Sequence, residues 1–183
     1  MTRTALAALL LAGLAACEPV RTADYLQISF DGPAQADITC SNGGCSPAEN
    51  TATVTVFWQD DPLFLAEDTI EIAQYRVDYA IPGIEGEVPF FAGYTSQFLN
   101  PGATVSFEIV PFGQTQRDLV ASTIGPGETV IASATLTLGG YGPANEIIGD
   151  NEGEAQAPFE LWLSDFTAAT ATGPTASYTT TTP

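Results

Sequence analysis

Histidine and lysine are absent from this chain, and arginine occurs only four times. Without an imidazole base a Ser-His-Asp triad cannot be assembled, and without an amine neither a Ser-Lys dyad nor a Schiff base can form. The one catalytic template left is a pair of carboxylates, the arrangement used in glycoside hydrolysis. Among 22 acidic residues some pair falls close by chance, so that pattern is no signal, and a non-enzymatic role is expected. The scarcity of cations also argues against nucleic acid as a partner, because phosphate neutralisation needs clustered Lys and Arg. Adhesion to anionic headgroups through surface charge is not expected, on the same ground. Long apolar runs are missing too. The only one, Ala5 to Ala16, falls short of the roughly 20 residues that a membrane-spanning helix requires.

That short run, preceded by Arg3, has the layout of a secretory signal: a small positive region, then roughly 7–15 apolar residues. It closes on Leu14-Ala15-Ala16-Cys17, which resembles the lipobox of bacterial lipoproteins. The resemblance implies cleavage before Cys17, acyl chains on its thiol and new amine, and a protein held at a membrane in the cell envelope. Several chains together anchor firmly where a single one binds marginally. Glu18, where the family commonly places Asp for inner-membrane retention, favours the outer membrane. All acidic residues lie after Cys17, while Arg3 leaves with the signal, so the mature formal charge is 3 − 22 = −19. Such an acidic exterior keeps an exported protein soluble.

The other two cysteines stand in the run Cys40-Ser41-Asn42-Gly43-Gly44-Cys45. Asn-Gly-Gly accepts positive φ, so the chain can reverse and bring the thiols together. In an oxidising compartment a Cys40–Cys45 disulfide is expected, worth about 2 kcal/mol for so small a loop. A structural zinc site is not expected, since it wants four ligands and neither His nor a further Cys is free.

Four segments are expected: a signal over 1–16, a lipidated anchor and leash over 17–24, one domain over 25–166, and a disordered Thr-rich tail over 167–183. Within the domain, period-2 alternation marks half-buried strands. It runs through Leu26–Phe30, Thr53–Trp58, Gln74–Tyr79, Thr104–Ile109 and Phe159–Ser164, with a β-branched and small run over Thr129–Leu138. A further short strand is expected near Val88–Phe91 or Tyr94–Leu99, and a turn or two of helix over Thr115–Ser122. Turn signals fall at Asp31-Gly32-Pro33, Pro82-Gly83, Asn100-Pro101-Gly102, Gly125-Pro126-Gly127 and Gly139-Gly140. About seven strands at this spacing predict an all-β immunoglobulin-like or fibronectin-type-III-like β-sandwich, with a jelly roll as the alternative. The whole chain resembles small bacterial lipoproteins that carry one immunoglobulin-like β domain.

Binding chemistry has two candidate sources. Calcium takes six to eight oxygen ligands, and Asp150, Glu152 and Glu154, in the acidic run 150–154 after Asn145-Glu146, offer carboxylates beside a turn-forming Gly153. The spacing is not that of an EF-hand, and a solvated acidic loop is the plainer reading. The same holds for Asp60-Asp61 through Glu67-Asp68. Trp58, Trp162, Tyr94 and Phe90-Phe91 could form a stacking platform for a sugar or a partner protein. Alternation places Trp58 in the core and leaves the face of Trp162 open. The expected function is a non-catalytic envelope lipoprotein serving as an interaction or structural module, with an envelope protein or glycan as partner. A carbohydrate- or calcium-binding module is the alternative, and a carboxylate-only glycoside hydrolase ranks last.

Intact mass of protein extracted from membranes checks the anchor directly. A species beginning at Cys17 with added acyl mass is expected from the wild type, and Cys17→Ser should lack it.

Overall fold

The computed structural model describes residues 21–38, 50–121, 123, 125, 128–143, 145–149 and 155–164. Among these the chain is mostly β. Its strands are β1 (Leu26–Phe30), β2 (Ala34–Asp37), β3 (Ala52–Trp58), β4 (Ile70–Ala80), β5 (Phe91–Leu99), β6 (Thr104–Ile109), β7 (Thr129–Tyr141), β8 (Ile147–Ile148) and β9 (Ala155–Ser164). One helix, α1 (Gln114–Ala121), crosses between β6 and β7. Nine strands therefore stand where about seven are expected. The additions, β2 and β8, are four and two residues long, too short for alternation to reveal. Of the two alternatives for a short strand, Tyr94–Leu99 falls within β5, whereas Val88–Phe91 contributes only its last residue.

Two sheets form. The smaller has the order β1-β3-β6, and the larger runs β2-β9-β7-β4-β5 with β8 on the side of β7. All pairs are antiparallel except β2 with β9. The alternating apolar residues fall on the shared core as patterned. Val54, Val56 and Trp58 of β3 are fully enclosed, as are Leu136 and Leu138 of β7 and Leu161 and Leu163 of β9. Phe30 of the small sheet stacks on Phe159 of the large one at 4.4 Å between ring centroids. Trp58 is wedged against Phe64, whose ring also meets Tyr25 edge-on. Burial of each such side chain contributes roughly 1.5–3 kcal/mol, the main force joining the sheets.

The core reaches back into the expected leash. Thr22–Tyr25 form a 3-10 turn in which Thr22 is buried, and Ala23 and Tyr25 pack against the core. Thr22 Oγ1 donates a hydrogen bond to the Glu146 carboxylate beside β8.

Gly139-Gly140 is not a turn. Both residues lie inside β7, opposite Gln74 and Ile72. Between those partners β4 carries an extra residue, Ala73, and this bulge shifts the inward phase from Ile70 and Ile72 to Tyr75 and Val77. Two backbones draw close there, since a Cβ on Gly140 would lie 1.8 Å from the Glu71 carbonyl oxygen. Glycine in a strand interior marks such an approach as often as a reversal. Pro158 is likewise accommodated within β9. It pairs with Thr135 of β7, while β2 joins β9 only from Leu161 onward, so no second neighbour needs its missing N–H.

Gly140→Ala should destabilise the fold by about 2–3 kcal/mol, the cost of overpacking against unyielding backbone. Chemical denaturation measures this, with the exposed β7 position Ser133→Ala as a near-neutral control.

Candidate functional site

The outward face of the larger sheet is set by the residues that alternate with the core. From β4 come Gln74, Arg76 and Asp78; from β7, Thr135 and Thr137; from β9, Gln156, Glu160 and Trp162. Where Gly139 and Ala92 supply little or no side chain, the face sinks into a depression of about 440 Å³. Gln74, Arg76, Asp78, Thr137 and Gln156 line it with amide, guanidinium, carboxylate and hydroxyl groups. The volume is at the low end of small-ligand sites, and the lining suits a hydroxyl-rich or peptide-like ligand better than an apolar one.

Arg76 is held in place from two sides. Its Nη2 lies 2.5 Å from Asp78 Oδ1, and its guanidinium sits 4.3 Å from the centroid of the Phe90 ring. Both partners of the ion pair are half exposed, so the pair orients the guanidinium more than it stabilises the fold. Phe90 is in turn fixed through α1, where Gln116 Nε2 donates to the carbonyls of Pro89 and Phe90 at 2.8 and 3.0 Å. Beside Gln74, across the β4–β5 ladder, stands Tyr94, 89 % exposed.

Beneath this face two phenols tie β4 to the segment after β6. Tyr75 Oη accepts from the Val110 N–H at 3.1 Å, and Tyr79 Oη donates to the Pro111 carbonyl at 2.7 Å. The Tyr75 ring lies against Gly93 of β5, where an added Cβ would fall 2.3 Å from its oxygen. Burial pushes both phenols above their ordinary range. The Val110 bond partly offsets this at Tyr75, and the negative charge of Asp78 adds to it at Tyr79.

The residues singled out by sequence do not assemble into one platform. Trp58 is fully buried, and among the described residues its indole N–H has no hydrogen-bond partner. Trp162 is on the outward face beside Ile131, at the far end of β7 from the glycine pair. Phe91 is half-buried near Tyr75 and Gly113. Tyr94 pairs with Gln74 and Phe90 lies against Arg76, two residues of the depression's lining. Of its polar lining, Gln74 stands on a strand whose alternation marks it outward, whereas Thr137 lies in a run marked only by composition and Gln156 precedes the expected Phe159–Ser164 strand. In the 60–68 loop the carboxylates of Asp61 and Asp68 accept the backbone N–H groups of Leu63 and Leu65. Among the described residues no three His, Cys, Asp or Glu side chains gather closely enough to hold a metal. Cys17, Cys40, Cys45, Asp150, Glu152 and Glu154 all lie outside the described residues, as do the signal and the Thr-rich tail.

No family model matches the chain, and no curated protein matches it. Among solved structures it is similar to one described as a late embryogenesis abundant (LEA) protein, at 13% identity over 87% of this chain and 75% of that one, with a TM-score of 0.39. A protein from Archaeoglobus fulgidus matches at 9% identity over 76% of this chain and 94% of that chain, TM-score 0.39. The periplasmic chaperone SfaE matches at 7% identity over 75% and 56%, TM-score 0.32. At such TM-scores neither fold nor function passes from these proteins to this chain.

The two raised phenols predict an alkaline limb in stability. Their folded-state pKa values exceed the unfolded value of 10.0, so the stability they contribute is complete below pH about 10 and is lost as pH rises above it. Thermal scans between neutral pH and pH about 11 should show Tm falling only past pH about 10. Tyr79→Phe should lower Tm at neutral pH, by removing the Pro111 bond, and soften the alkaline fall.

Proposed function

We propose that this chain is a non-catalytic cell-envelope lipoprotein, anchored through acyl chains on Cys17, whose β domain is an interaction module. Its partner binds the outward face of the larger sheet. The observation that carries this reading is the polar depression around Gln74, Thr137 and Gln156, with the exposed Tyr94 paired to Gln74 on the neighbouring strand. A preformed concave patch with converging hydrogen-bonding groups is the usual form of a recognition site. The residue inventory supports the non-catalytic part, because no imidazole or lysine amine exists anywhere in the chain.

The strand order supports the finer fold reading. β1, β3 and β6 stand in the relation of strands A, B and E of an immunoglobulin-like sandwich, and β4, β7 and β9 in that of C, F and G, with β5 beside C. The unequal sheets fit a jelly roll less well, since that fold divides eight strands between two sheets. The Cys40–Cys45 disulfide remains part of the proposal as a local loop closure rather than a bridge between sheets.

A second reading, a glycan as the ligand, is favoured specifically by Tyr94. An aromatic face beside amides and a hydroxyl stacks on a sugar ring while the polar groups take its hydroxyls. Tyr94→Ala should then weaken binding roughly tenfold, read by calorimetry against neutral oligosaccharides.

The general reading is tested in cells with a photo-crosslinking side chain at Gln74, and at Thr53 on the other sheet's outward face as control. A discrete adduct is expected at position 74 and not at 53. Equal labelling at the two positions, or none at either, would overturn the proposed face.

A further inference from the structure

The lipid anchor and the exposed apolar side chains meet at one pole of the molecule. Thr22, next to the first described residue, is buried. From Cys17 to Thr22 is 22 − 17 = 5 residues, a reach of at most about 18 Å when fully extended. A bilayer holding acyl chains on Cys17 is therefore confined to the end of the domain where Thr22 lies.

That end holds the close of β3, the start of β4, the close of β5 and β7, and β8. A row crosses it on the outward face of the larger sheet. Phe98 of β5 pairs with Glu71 of β4, Glu71 with Tyr141 of β7, and Tyr141 with Ile147 of β8. The three apolar members are 62%, 51% and 58% exposed. Leu63 and Leu65, at 59% and 61% exposure, extend from the loop leading into β4. Phe64 between them turns inward onto Tyr25, just after Thr22, and the Asp61 and Asp68 carboxylates brace the loop by accepting the N–H groups of Leu63 and Leu65. The two leucines are thus held outward by a structured loop rather than left out by fraying.

From this juxtaposition, and resting on the anchor reading above, we propose that this pole is a membrane-contact surface. Leu63, Leu65, Phe98, Tyr141 and Ile147 seat in the interfacial region of the bilayer that holds the acyl chains. Aromatic and aliphatic side chains favour that depth, and partial burial of several adds to the grip of the lipid. Glu71 and the loop carboxylates surround the apolar groups, so the fitting surface is a zwitterionic headgroup layer, not an anionic one. The seated pole leaves Ile131 and Trp162, at the opposite end of β7, away from the membrane.

The test uses the full chain, purified from membranes and reconstituted into phosphatidylethanolamine–phosphatidylcholine vesicles containing brominated acyl chains. Leu65→Trp and Ile147→Trp are compared with Ile131→Trp, against the wild-type background of Trp58 and Trp162. Brominated lipid should quench the added emission at positions 65 and 147 and leave that at 131 unchanged. Uniform quenching, or none at all three, in protein whose intact mass carries acyl chains at Cys17 would overturn the contact surface while leaving the anchor standing. Protein without acyl mass at Cys17 would overturn both, and the mass alone distinguishes that case. Unchanged Tm in the variants confirms that the substitutions sit on the surface.

Discussion

Between β4 and β7 of the larger sheet the Glu71 carbonyl oxygen lies where a side chain on Gly140 would have to go, 1.8 Å from an ideal Cβ. The bulge at Ala73 that brings the backbones together also reverses the phase of β4. Upstream of it Ile70 and Ile72 face the core; downstream Tyr75 and Val77 do. Were Ala73 an ordinary strand residue rather than a bulge, alternation continued from Ile72 would turn Gln74 inward and Tyr75 outward, since a slip of one residue exchanges the two faces of a strand. Glycine at positions 139 and 140 permits the bulge and clears the space for the depression, so one local distortion shapes both core and surface.

The inward Tyr75 has a further consequence. Its ring fills the space above Gly93 on β5, and its hydroxyl meets the backbone of Val110 after β6. With Tyr79 bonded to Pro111, β4 is tied to the chain that leaves the small sheet. Both hydroxyls are satisfied, which matters because an unpaired buried polar group costs about 1–3 kcal/mol. Helix α1 then fixes the β4–β5 connection through Gln116, and with it Phe90 and the orientation of Arg76. The shape of the outer face, and with it the proposed recognition surface, rests on these inner ties.

Charge has a different part in the molecule. With 22 acidic residues and four arginines, most carboxylates have no cation to pair with. Some are used locally instead: those of Asp61 and Asp68 shape the loop that presents Leu63 and Leu65. Carboxylates accepting nearby N–H or O–H groups organise turns without a counter-ion, which is how a chain so poor in cations builds ordered loops.

Period-2 alternation was sufficient, by itself, to place five of the strands and to separate core from surface residues on them, because a side chain's face follows from its parity in the strand; β7 was marked by its β-branched and small residues instead. Composition was likewise sufficient to remove triads, Schiff bases and phosphate-binding clusters from consideration. The alternation did not reveal β2 and β8, whose pairing exists only because β9 and β7 are already in place beside them. Nor did it reveal the role of Gly139-Gly140, since a glycine pair reads as a turn until a bulged neighbour occupies the space its side chains would need. The gathering of Gln74, Thr137 and Gln156 required the register of three strands, which no single segment contains. The same is true of Phe98, Tyr141 and Ile147: each is an ordinary exposed residue on its own strand, and only cross-strand pairing makes them one row.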